Sequence, residues 1–183
     1  MTDSASNQHL REREYLMLLG RMQISPRWGG KVDLSGVIQQ TLWEASQATC
    51  DDGQNRLSWL RKLLANNLKD EIRKLTAQRR DVRRENSLEA AIDQSSNRLQ
   101  AWLVQQCSSP GQKIVRSEEL GRLACALAEL PEDQRAAIEL HHLQGQPLSL
   151  VSDQIGRTKE ATAALLYRAM KRLRQKLDSS EGK

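Results

Sequence analysis

Between residues 157 and 176 seven Lys/Arg stand against one Asp/Glu, and between 61 and 84 nine stand against three. Guanidinium and ammonium groups clustered in this way suit the oxygens of a nucleic-acid backbone. Each tract carries +6 within a chain whose formal net charge is +5, so the remaining residues sum to −7. Two cationic patches on a mildly acidic body imply a partner with separated phosphate tracts and strongly salt-dependent binding. Residues for bond-making chemistry are missing by comparison. No Gly-rich phosphate loop, Ser-His-Asp order, zinc spacing or HExxH is present, and catalysis is not expected. His141 and His142 are adjacent on a helix and project ~100° apart, which excludes shared ligation of one metal. Asp51 and Asp52 beside Gly53 read as turn chemistry. Neither a metal nor another cofactor is expected.

The second cationic tract belongs to the stretch LSLVSDQIGRTKEATAALLYRAMKRLRQKL, residues 148–177. Leu148, Val151 and Ile155 recur at helical spacing, Gly156 breaks the run, and Thr158 is placed to cap a second helix. That helix has an apolar stripe of Leu166, Met170, Leu173 and Leu177, with Arg168, Lys171, Arg172, Arg174 and Lys176 around the rest. Helix, turn of about four residues and helix form a helix-turn-helix pattern. Such a unit presents the first turn of its second helix to base edges in a major groove.

Along the rest of the chain, residues 8–24 read as a helix packing Leu10, Tyr15, Leu18, Leu19 and Met22. A second opens at Asp33 or Ser35 with Leu34, Val37, Ile38, Thr41, Leu42 and Ala45 inward. A turn-rich loop at 49–55 precedes a longer helix from Leu57 through Leu75, with Trp59 at the head of its apolar stripe. Its other face bears Arg61, Lys62, Asn66, Lys69, Arg73 and Lys74, and the basic run QRRDVRR at 78–84 follows. Residues 85–116 lose periodicity and contain Ser pairs and Pro110-Gly111, so they read as a linker with a helical patch at Leu99, Trp102 and Leu103. Taut, ~30 residues span up to ~100 Å. From Ser117 a helix runs through Leu120, Leu123, Ala124 and Leu127; Pro131 opens the next, which ends at Gly145. With no strand pattern, the expected class is all-α, in two small helical domains at 1–84 and 117–183 joined by the 85–116 linker.

With 183 residues, 38% of them apolar, the cores are modest, and mean hydropathy is −0.65. No apolar run reaches the ~20 residues that cross a bilayer, and the N-terminus lacks a signal-peptide pattern. Cys50, Cys107 and Cys125 are odd in number and far apart, as in reduced thiols. A cytoplasmic protein without membrane insertion is expected.

The C-terminal pattern of Leu130, Pro131, Arg135, Gly145, Val151, Gly156, Thr158, Leu166, Arg168, Ala169 and Leu173 resembles region four of the extracytoplasmic-function sigma factors, small members of the bacterial sigma-70 family. VIQQTLWEA at 37–45 resembles their region-two motif DLVQETFLRA, and WLRKLLANNLKDEIRK at 59–74 resembles the helix after it, with Trp59, Leu60, Asn66, Asp70, Arg73 and Lys74 in the corresponding places. The resemblance implies a dissociable sigma subunit that joins bacterial RNA polymerase core and directs promoter-specific initiation. It further implies that Val37, Ile38, Gln39, Gln40 and Thr41 face the polymerase clamp. Arg61, Lys62, Asn66, Arg73, Lys74, Arg79 and Arg80 would lie along the minus-ten DNA, and Thr158, Lys159, Glu160, Thr162, Ala163 and Arg168 along the minus-thirty-five DNA. An anti-sigma protein is a further partner of such a chain.

Some positions depart from the pattern. Gly36 replaces a usual Asp, Gln40 a Glu, and Ala163, Ala164 and Leu165 stand where many members have Lys, Ser and Arg. A bidentate contact to guanine discriminates by ~1–3 kcal/mol and alanine cannot make one, so hydrogen-bonded base readout is expected to be weak, with phosphate contacts and DNA shape dominant. Aromatic content of 3% without Phe leaves few rings for base stacking, although Trp43 and Trp59 flank the loop at 49–55. Two other readings stay open at this level: a helix-turn-helix regulator acting without polymerase, and an interaction module whose N-terminal bundle binds another protein.

Overall fold

The computed structural model describes residues 2–24, 31–48, 55–75, 85–106 and 117–181. These are all-helical, with no strand among the described residues: α1 (Thr2–Gln23), α2 (Leu34–Gln47), α3 (Arg56–Leu75), α4 (Glu85–Gln106), α5 (Ser117–Ala128), α6 (Glu132–Ile138), α7 (Leu148–Ile155) and α8 (Lys159–Glu181). They divide into two compact units, Met1–Asn97 and Arg98–Lys183.

In the first unit α1, α2 and α3 pack on one another. Tyr15, Leu16, Leu18, Leu19, Ile38, Leu60, Leu64 and Leu68 fill the core, at the 3–4 residue spacing that keeps side chains on one helical face. Asp33 caps α2, its carboxylate accepting from the Gly36 amide at 2.9 Å. Glu12 is buried and charged, and the Arg56 guanidinium of α3 neutralises it while Gln8 donates a further bond.

The stretch expected to be a linker is helical from Glu85 to Gln106. Its buried positions Ile92, Ser95, Ser96, Leu99, Trp102 and Leu103 keep helical spacing, but two of the six are serines. Each serine has a polar partner: Ser96 shares a 2.9 Å bond with the Tyr15 hydroxyl, and Ser95 accepts from Gln23 at 2.8 Å. A buried face satisfied by hydrogen bonds does not register as hydrophobic periodicity. Residues 107–116 of the expected linker lie outside the described residues.

In the second unit α5, α6 and α7 all pack on α8. Leu120, Leu123, Leu127, Ile138, Val151, Leu165, Ala169 and Leu173 are buried. Pro131 precedes rather than opens α6, which starts at Glu132. Beyond Ile138 the helix widens into one π-type turn, Glu139–Leu143, with the Gln144 amide bonded to the Glu139 carbonyl at 2.9 Å. Gly145 follows at φ 72°.

Candidate nucleic-acid interface

The α7–α8 turn is built by two local residues. Gly156 adopts the left-handed conformation at φ 70°, which stops α7 without a Cβ penalty. The Thr158 hydroxyl accepts from the Ala161 amide at 3.2 Å and so opens α8. Both were legible in the sequence. Beside them the Glu160 carboxylate is held below its ordinary range by its own backbone N–H and by the Thr158 hydroxyl, as suits an anion at a helix N-terminus. Arg157 closes the turn through a 2.8 Å ion pair with Asp133 of α6.

Exposed on α8 are, among others, Lys159, Glu160, Ala163, Arg168, Lys171, Arg172 and Arg174. Thr162, expected on the DNA side, is fully buried, and its hydroxyl donates to the Thr158 carbonyl at 2.9 Å. It therefore supports the helix start from inside. The sequence reading missed Tyr167, which is 74% exposed; its position four residues after Ala163 was the available signal.

The cationic face of α3 is only partly available. Lys62, Asn66, Arg73 and Lys74 are exposed, the last two with i,i+3 partners Asp70 and Glu71 at 3.2 Å. Arg61 instead turns inward, pairing with Asp93 of α4 at 2.6 Å and donating to the Tyr15 hydroxyl at 3.3 Å. It fastens α3 to α4 and α1. Arg79 and Arg80 lie outside the described residues. Asn67 donates to Thr41 and Glu44 of α2 at 3.1 and 2.9 Å, fixing the α2–α3 register.

Of the five residues expected to face polymerase, Gln39 and Gln40 are exposed. Val37, Ile38 and Thr41 are buried, since they occupy the core stripe of α2. Trp43, 59% exposed, joins the two glutamines around a shallow surface depression. A Cβ at Gly36 would meet Asp33 Oδ2 at 2.4 Å, so a side chain there would require the capping carboxylate to shift.

His141 Nδ1 lies 2.8 Å from the Gln146 carbonyl. His142 sits against Trp102, ring centroids 6.0 Å apart, and burial, then the neighbouring His141, pushes its pKa down. Among the described residues no His, Cys, Asp or Glu group of three or more is placed to hold a metal ion. No described helix is long and apolar enough to cross a membrane.

A helix, a glycine turn and a second helix capped by Thr158, with a cationic outer face, define the C-terminal unit as a helix-turn-helix module. More narrowly, residues 120–173 match the family model for sigma-70, region 4. No curated protein and no solved structure matches the chain.

Proposed function

We propose that the chain is a dissociable sigma subunit of the extracytoplasmic-function group, which joins bacterial RNA polymerase core and selects promoters. The region 4 match across the helix-turn-helix carries this reading. In it the first turn of α8 meets the minus-thirty-five element, with Lys159, Arg168, Lys171 and Arg172 against phosphates. The N-terminal unit is read as the region 2 counterpart, docking on polymerase through Gln39, Gln40 and Trp43 of α2. Lys62, Asn66, Arg73 and Lys74 of α3 then follow the minus-ten DNA. The exposure of these side chains supports the assignment. An anti-sigma protein is a partner that would compete for the same surfaces.

Reconstituted transcription tests the proposal directly. Core polymerase supplemented with the chain should initiate RNA synthesis at discrete positions on a genomic promoter pool, whereas core alone should not. Specific duplex binding by the isolated chain, with no specific initiation, would replace the proposal with a regulator that acts without being a polymerase subunit.

A further inference from the structure

The small and apolar residues of α8 lie on two opposite faces. At ~100° per residue, Thr162, Leu165, Leu166, Ala169 and Leu173 gather on one side, and all are buried. Ala163, Ala164 and Tyr167 are exposed and share an arc about 105–155° from the middle of that stripe. Exposed Glu160 heads this outermost line and exposed Lys171 ends it. Tyr167 contributes little to the core at 74% exposure, yet an aromatic side chain in water gives up burial worth ~1.5–3 kcal/mol.

The geometry points to this ridge as a thymine reader, a specificity-determining surface that contacts 5-methyl groups in the major groove. The inference rests on the region 4 domain binding promoter DNA as proposed above. Hydrogen-bonded readout of guanine or adenine uses Arg, Lys, Asn or Gln, and Ala163, Ala164 and Tyr167 offer none of these, while the neighbouring Arg168 turns its Nε back to the Ala164 carbonyl at 3.3 Å. Thymine is the one DNA base that offers an apolar group at the major-groove edge. Ala163 and Ala164 are short enough to let the backbone of α8 approach that edge, and the Tyr167 ring extends the apolar contact by one turn. Exposed Lys159, Arg168, Lys171 and Arg172 flank the ridge. Such cations match phosphates, whereas the core of a protein–protein interface is depleted in charged groups. The missing guanine-reading side chains therefore become a change of base preference rather than a loss of readout.

The test uses the full-length chain, alone and with core polymerase, to select duplexes from a randomised pool. Each thymine of the selected duplex is then replaced by deoxyuridine, which pairs identically but lacks the methyl. The expected result is enrichment of thymine-containing sites, with two or three positions at which replacement weakens binding about three- to four-fold each. Tyr167→Ala should remove that sensitivity at one position while leaving helical content and Tm unchanged. Binding that is indifferent to deoxyuridine at every position overturns the thymine inference and leaves the promoter-binding reading intact. Enrichment of no duplex in either arm overturns both. If Tyr167→Ala weakens polymerase capture and spares DNA affinity, the ridge belongs to a protein contact instead.

Discussion

Gly156, Thr158 and Asp33 act on backbone groups no more than four residues away, which is why turn and cap chemistry could be read from the sequence alone. Arg61 could not be read that way, because its acceptor Asp93 lies 32 residues distant on a helix whose face was not recognised. Periodicity placed Arg61 beside Lys62 in one cationic set; tertiary contacts separate them. The two residues should consequently respond oppositely to truncation. Arg61→Ala leaves the Asp93 carboxylate and the buried Tyr15 hydroxyl short of a donor, a loss of about 1–3 kcal/mol. Lys62→Ala, on the exposed side, should change stability by less than ~0.5 kcal/mol while weakening DNA binding by the polymerase complex. Urea unfolding of the two variants, read beside promoter affinity, checks the assignment; equal stabilities for both would show that Arg61 is not a fastener.

At the level of helices, the sequence disclosed those whose inner face is hydrocarbon. The stripes of α2 through Val37, Ile38, Thr41 and Ala45 and of α3 through Leu60, Leu64 and Leu68 were visible, although Leu57 rather than Trp59, which is only half-buried, heads the α3 stripe. The first half of α4 was not, since Ser95 and Ser96 stand where periodicity looks for apolar side chains. Their hydroxyls enter the interior only because Gln23 and Tyr15 supply partners from α1, and those pairings are 72 and 81 residues long. Serine at such positions makes α4 dependent on a specific polar register rather than on burial alone. Ser96→Ala should therefore cost about 1 kcal/mol. Tyr15→Phe should cost more, because it severs the Ser96 bond and removes the acceptor used by Arg61. The double variant should be less destabilised than the sum of the singles, since the lost Tyr15–Ser96 contact is shared. Strict additivity in chemical denaturation would deny the coupling.

Taken as a whole, the molecule concentrates its positive charge in two tracts of +6 while the remainder is acidic. This distribution was legible from composition alone; which of the cations remain available depends on folding. Lys176 is engaged by Glu129 and Arg157 by Asp133, both across helices of the C-terminal unit, whereas Lys171 and Arg172 are exposed on α8. Acidic residues of the body thus discharge part of the tract internally and leave a narrower set for phosphates. Each phosphate neutralised releases condensed counterions and adds ~0.9 to the slope of log affinity against log salt for duplex DNA. Replacing both Lys171 and Arg172 by Gln should consequently flatten that slope by about 2. Lys176→Gln should leave it nearly unchanged, because the ion pair with Glu129 already satisfies that ammonium. Titration of promoter binding by the polymerase complex across a potassium chloride series separates the two cases. A slope that falls equally for all three positions would mean that total charge, rather than its internal pairing, sets the grip on DNA.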